Sequence, residues 1–162
     1  WAVSIALEHK GEIVAGVVFD AAKDEMFVAE KGAGAWMNEG RLRVSGRARL
    51  EDSVFASGIP FGAKRTLPAT LQDLSRLMPA TAGLRRWGAA ALDLAYVAAG
   101  RYEGYWEREI NPWDVAAGLL LVREAGGLVA PLREDGEIFA DGTVLAANAA
   151  VFERFAAVIR SR

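Results

Sequence analysis

Asp114 stands in the stretch Asn111-Pro112-Trp113-Asp114-Val115-Ala116-Ala117-Gly118, whose residue types serve two kinds of chemistry. As a helix start it is complete. Asn suits the N-cap, Pro suits the first helical position, and an acid in the first turn meets the positive end of the helix dipole. As a ligand, the same carboxylate offers the hard oxygen that a divalent cation takes. Upstream, Gly88-Ala89-Ala90 opens another helix. Its free backbone N–H groups can point at anionic or hydroxyl oxygens, or Gly88 merely permits a tight strand-to-helix turn. Arg85 and Arg86, just before it, reach a substrate or partner subunit, or stay solvated. Read alone, Glu107 is a surface acid with Arg108 or Arg101 as partner. Asp93 pairs with an arginine or caps a loop, and Glu124 pairs with Arg123 or a neighbouring layer.

Composition removes several alternatives. Among 162 residues there is no cysteine, which excludes a thiol enzyme, a zinc-thiolate domain and a disulfide scaffold. The single histidine, His9, is expected in an exposed turn, and His-based triads need more than that. Nineteen basic against twenty-one acidic residues give a net charge of −2, which argues against a nucleic-acid partner bound by phosphate neutralisation. No apolar run reaches the roughly 18–20 residues that span a bilayer, since Arg123 and Glu124 close the stretch 115–122. No signal-peptide pattern opens the chain. It begins instead with Trp1-Ala2-Val3-Ser4-Ile5-Ala6-Leu7, which reads as the middle of a buried strand in a piece of a longer polypeptide.

The elements that must position these residues follow from periodicity. Strands are expected over 1–8, 13–20 and 25–29, joined by short polar turns as in an antiparallel meander, with an edge strand at 41–44. Gly16 marks a close approach of backbones. Arg41, Arg43, Arg47 and Arg49 form a solvated face. After Ser45 the pattern changes to alternating strands and helices: a strand at 54–57 running into a loop at 58–62, then a helix over 67–78 with Leu67, Leu71, Leu74, Leu77 and Met78 on one face. Strands at 84–87, 102–107, 128–130 and 144–146 alternate with helices over 89–99, 112–125 and 149–159. That is an α/β layer. Trp36, Trp87, Trp106 and Trp113 are expected as core or interface anchors.

Trp113-Asp114-Val115-Ala116-Ala117-Gly118 followed by Leu121-Val122-Arg123-Glu124-Ala125-Gly126-Gly127 resembles the C-terminal signature of the inositol monophosphatase family. Collinear matches at 1–7, 16–20, 30–35, 88–101 and 146–148 extend the resemblance over nearly the whole chain, and 92–124 looks most like bacterial members. The resemblance implies a layered α-β-α-β-α sugar-phosphatase fold, incomplete at the N-terminus. Residues 1–48 would be an antiparallel sheet remnant of the N-terminal domain, and 49–162 the C-terminal α/β domain.

The resemblance also implies a cytoplasmic, homodimeric Mg²⁺-dependent phosphomonoesterase acting on inositol monophosphate or a similar small polyol phosphate. Asp114 would ligate metal on the leaving-group side. Glu107 would accept from ring hydroxyls, and Gly88, Ala89 and Ala90 would contact the ring, with Ala89 lacking the hydroxyl that members often carry there. The first signature, with two more metal-ligating aspartates and the threonine that orients the attacking water, is absent from these residues. No catalytic residue is therefore assigned to this chain, and the chain alone is expected to be inactive. Relatives acting on histidinol phosphate, fructose bisphosphate or bisphosphorylated nucleotides stay open, as does a non-catalytic relative acting by protein or RNA association.

Overall fold

A computed structural model of the chain describes residues 1–59 and 65–161. The first sheet is a meander of five antiparallel strands in sequence order: β1 (Val3–His9), β2 (Glu12–Asp20), β3 (Glu25–Glu30), β4 (Gly34–Met37) and β5 (Gly40–Arg41). The β1–β2 turn places Lys10 and Gly11 both at positive φ, 52° and 81°. This suits a two-residue hairpin, whose twist then matches the strands.

The second sheet runs β7-β6-β8-β10-β9, where β6 is Val54–Ser57, β7 Gly83–Arg85, β8 Gly104–Arg108, β9 Gly127–Ala130 and β10 Thr143–Asn148. β6 is parallel to both neighbours, and β10 is antiparallel to β8 and β9. Both of its faces are covered, so successive residues enter different cores. Ala56, Tyr105, Val144 and Ala146 join the core with helices α2 (Ala90–Ala98) and α3 (Pro112–Glu124). Phe55, Trp106, Leu145 and Ala147 face the other way, into the core with α1 (Leu67–Leu77) and α5 (Phe152–Arg160). A short helix, α4 (Ile138–Asp141), precedes β10.

Helix α3 also packs on β1, β2 and β3 of the first sheet. The order is therefore sheet, α2 with α3, sheet, α1 with α5. This is the α/β layered fold, with four of the five layers that the resemblance implies. The close approach expected at Gly16 is present: a Cβ there would meet the Ala117 Cα of α3 at 2.9 Å.

Several expectations are corrected. β1 is not buried: Val3, Ile5 and Leu7 are 50, 62 and 59% exposed, because no described element covers them. The edge strand at 41–44 ends at Arg41. Leu42 stays bonded to the Ala35 carbonyl, and Val44 donates instead to the Ala125 carbonyl at the end of α3. On α1 the buried face is Thr70, Asp73 and Leu77, while Leu71 and Met78 are exposed. Asp73 turns the helix, since the Trp106 indole donates to it at 3.1 Å and Arg108 pairs with it. Of the four tryptophans expected as core or interface anchors, Trp106 alone is a core anchor, fully buried; Trp36, Trp87 and Trp113 are 40, 55 and 71% exposed and lie outside the core. Within the basic run, Arg47 is not simply solvated, because it holds the fully buried Glu103 at 2.8 Å. Of the loop at 58–62, residues 60–62 lie outside the described residues.

Candidate active site

The N-termini of α2 and α3 and the C-terminal end of β8 converge on one cavity of about 230 Å³, lined by Gly58, Arg86, Gly88, Ala89, Ala90, Glu107, Glu109, Ile110 and Asp114. All five site residues expected from the sequence are among them. The Val144–Glu107 pairing with β10 holds the end of β8 in place.

Asp114 occupies the third position of α3, half-buried, and its Oδ2 accepts the Asn111 N–H at 3.2 Å. The capping role is thus real, and it fixes the carboxylate at the cavity wall. Glu107 is half-buried, and its carboxylate accepts from the Tyr105 hydroxyl, two residues back on the same face of β8. Burial raises the Glu107 carboxyl above the ordinary glutamate range and the Asp114 charge adds to this, against the lowering effects of Tyr105 and Arg86. Burial likewise pushes the Tyr105 hydroxyl well up, so it stays a donor. Neither Arg108 nor Arg101 partners Glu107: Arg108 leaves on the opposite face toward Asp73, and Arg101 binds Glu25.

Gly88 has φ +79°, so the tight turn does require glycine. That turn leads into Ala89 as the N-cap of α2, with no side chain capping the helix. The first N–H groups of α2 are therefore available at the cavity. Of the two preceding arginines, Arg86 lines the cavity and donates to the Ile59 carbonyl at 3.3 Å, whereas Arg85 is not part of the lining.

Sequence reasoning missed three features. Gly58 lacks a side chain where the Glu107 carboxylate lies, and a Cβ added there would overlap it. Tyr105 shares the period-two face with Glu107, a signal that was legible. Glu109, a non-glycine at φ +57°, carries strain at the cavity rim, with no signal in its residue type. One acid is also corrected: Asp93 is buried and pairs with no arginine, and neither of its carboxyl oxygens makes a well-formed hydrogen bond among the described residues. Glu124 follows the second of its two expected readings, since it bonds the Gly32 and Gly34 N–H groups of the neighbouring first sheet, both at 2.9 Å.

Among the described residues no group of three Asp, Glu, His or Cys side chains is placed to hold a metal. Asp114 fits a cation as one oxygen ligand in a set that others must complete.

A layered α/β chain with acids and two helix N-termini around one small polar cavity has the makings of a phosphate-ester site. The inositol monophosphatase family model matches residues 1–162, and the chain belongs to that family. It is 49% identical over 148 residues to an inositol-1-monophosphatase of Mesorhizobium japonicum, covering 91% of this chain and 56% of that protein. It is 45% identical to the Nus factor SuhB of Pseudomonas aeruginosa over 162 residues, covering 99% of this chain and 60% of that one. The crystal structure of the extragenic suppressor protein SuhB from Bartonella henselae superposes with a TM-score of 0.94 at 46% identity, covering 99% of this chain and 62% of that one. The chain thus spans less than two thirds of the length of these relatives. No helix among the described residues is long and apolar enough to cross a membrane.

Proposed function

We propose that this chain supplies the leaving-group side and the hydroxyl-recognition pocket of a Mg²⁺-dependent phosphomonoesterase acting on inositol monophosphate or a similar small polyol phosphate. The observation that carries the reading is the gathering of Asp114, Glu107 and the Gly88–Ala90 turn around one polar cavity. Mg²⁺, when bound, supplies charge neutralisation at the leaving oxygen and lowers the pKa of a coordinated water.

On the leaving-group and hydroxyl side of the site the chain's own residues act. Asp114, fixed by the cap of α3, presents a carboxylate oxygen beside the ester. Glu107, steadied by Tyr105, accepts hydrogen bonds from vicinal hydroxyls, a pattern that selects a polyol over a bare alkyl phosphate. The N–H groups in the first turn of α2, from Ala90 on, meet further oxygens without any side-chain hydroxyl. A cytoplasmic homodimer belongs to the same reading.

The test is a substrate panel with Mg²⁺ on protein of the relatives' full length, covering inositol 1-phosphate, histidinol phosphate, fructose 1,6-bisphosphate and a bisphosphorylated nucleotide. Highest kcat/KM on inositol 1-phosphate supports the proposal, and preference for another member of the panel replaces the substrate class. The relatives called Nus factor SuhB favour a second reading, association with a macromolecular partner. Absence of hydrolysis on every substrate, in protein that folds and binds Mg²⁺, would favour it.

A further inference from the structure

Asp93 lies in the first turn of α2, directly after the Gly88–Ala90 segment of the cavity wall. It is 1% exposed, and neither carboxyl oxygen makes a well-formed hydrogen bond among the described residues, the Ala89 N–H of the cavity wall being the donor that acts on it. The other buried acids are all satisfied. Asp20 accepts the Ala22 N–H, Asp73 takes Trp106 and Arg108, and Glu103 takes Arg47 and the Val54 N–H. A buried polar group with no partner works against folding, and a leucine or alanine at this place in an apolar helix would avoid the cost. Something other than packing accounts for an acid here.

The groups that feel Asp93 identify what that is. Glu107 and Arg86 act on it electrostatically, and both line the cavity; Tyr102 and Tyr105, flanking and within β8, feel it in turn. Tyr105 is the donor that steadies Glu107.

We propose that Asp93 is a positioning residue for substrate hydroxyls, acting from behind the cavity on the Glu107–Tyr105 pair and on the Ala89–Ala90 turn. This rests on the phosphomonoesterase reading above. Burial first, and the charge of Glu107 second, push the Asp93 carboxyl up to about 7, against the lowering effects of Arg86 and the Ala89 N–H, so it keeps its proton below neutral pH, where it can sit beside a charged Glu107, and gives it up as pH rises through about 7. Once ionised, it would repel Glu107 from its place over Gly58. The other titratable or charged groups around it are Arg86 before α2, Tyr102 and Tyr105 at β8, and Asp114 on α3, which acts on Tyr105 and Glu107. From β6 and β10 the core below α2 receives only Ala56, Val144 and Ala146, none of which titrates. On the β2 side, Asp20 lies beside Tyr96 of α2 at 3.5 Å.

The experiment compares wild type, Asp93→Ala and Asp93→Asn in protein of the relatives' full length with Mg²⁺, on inositol 1-phosphate and on p-nitrophenyl phosphate, which has no hydroxyls. Asp93→Ala is expected to raise KM for inositol 1-phosphate roughly 5-fold or more with kcat within about 2-fold, and to leave kcat/KM on p-nitrophenyl phosphate unchanged. The proposal expects the wild-type KM to rise from pH 6.5 to 8.5; Asp93→Asn, which keeps shape and a neutral donor, should hold KM near the wild-type value at pH 7 and abolish that rise. Equal losses on both substrates, or a wild-type KM in Asp93→Ala, would overturn the proposal. Should Asp93→Ala fail to fold, the Asp93→Asn profile decides: a flat KM supports the role, and a wild-type slope removes it. Wild type that hydrolyses neither substrate overturns the functional reading and this one with it.

Discussion

The carboxylate of Glu107 rests against the backbone of Gly58, in the space a β-carbon on that glycine would need. Gly58 follows the last residue of β6, and Glu107 is the penultimate residue of β8, so the parallel pairing of these strands brings the two together. Any side chain at 58 must move the acid or the strand. Gly58→Ala is accordingly expected to raise KM for inositol 1-phosphate about 10-fold, with a loss of roughly 1–3 kcal/mol in stability from overpacking. Steady-state kinetics and denaturant melts measure both.

Tyr105 is the one side chain bonded to the Glu107 carboxylate among the described residues. Removing its hydroxyl should leave a half-buried acid with one donor fewer. Tyr105→Phe is expected to raise KM several-fold while changing kcat less, and to raise the Glu107 pKa further, since the bond to Tyr105 lowers it. An NMR titration of the labelled Glu107 carboxyl carbon reads the shift.

Asp73 gives a contrasting case on the far side of β8. It is buried, takes the Trp106 indole and the Arg108 guanidinium, and faces away from the cavity. Asp73→Ala should destabilise the fold by about 2–4 kcal/mol, because it strands a largely buried guanidinium, yet leave KM within about 2-fold. A variant that lost substrate affinity without losing stability would contradict the division of β8 into two faces.

The raised carboxyl of Asp93 makes stability depend on pH in a definite direction. Its ordinary value is 3.8 and the folded value about 7, so the folded state binds the proton more tightly than the unfolded chain. The contribution is fully present below about pH 4 and is lost as pH rises through about 7. Asp93→Asn should therefore gain stability over wild type between those limits, by roughly 1–3 kcal/mol at neutral pH. Thermal melts from pH 4.5 to 8 follow the difference; parallel curves would contradict it.

Much of this arrangement was legible in the sequence. The cap Asn111-Pro112 with Asp114 in the first turn dictated α3, and the glycine at 88 dictated the turn into α2. Resemblance, not spacing, raised Glu107 and Ala89 above their bland readings. What escaped depended on contacts between distant segments. Glycine 58 reads as a loop residue until β6 and β8 are paired. Asp93 reads as an arginine's partner or a loop cap until α2 is sandwiched between two sheets, and the inward turn of Asp73 needs Trp106 and Arg108 opposite it. The exposure of β1 was hidden for a related reason: apolar residues announce that a face wants covering, not whether the described elements cover it.

The most direct measurement is the Mg²⁺ dependence of inositol 1-phosphate hydrolysis by wild type and Asp114→Asn in protein of the relatives' full length, with melting curves showing that both fold. The account predicts that the variant loses at least about 100-fold in kcat/KM and needs far more Mg²⁺ for half-maximal rate, since one anionic oxygen of the ligand set is gone. An Asp114→Asn protein with wild-type rate and unchanged Mg²⁺ requirement would contradict it.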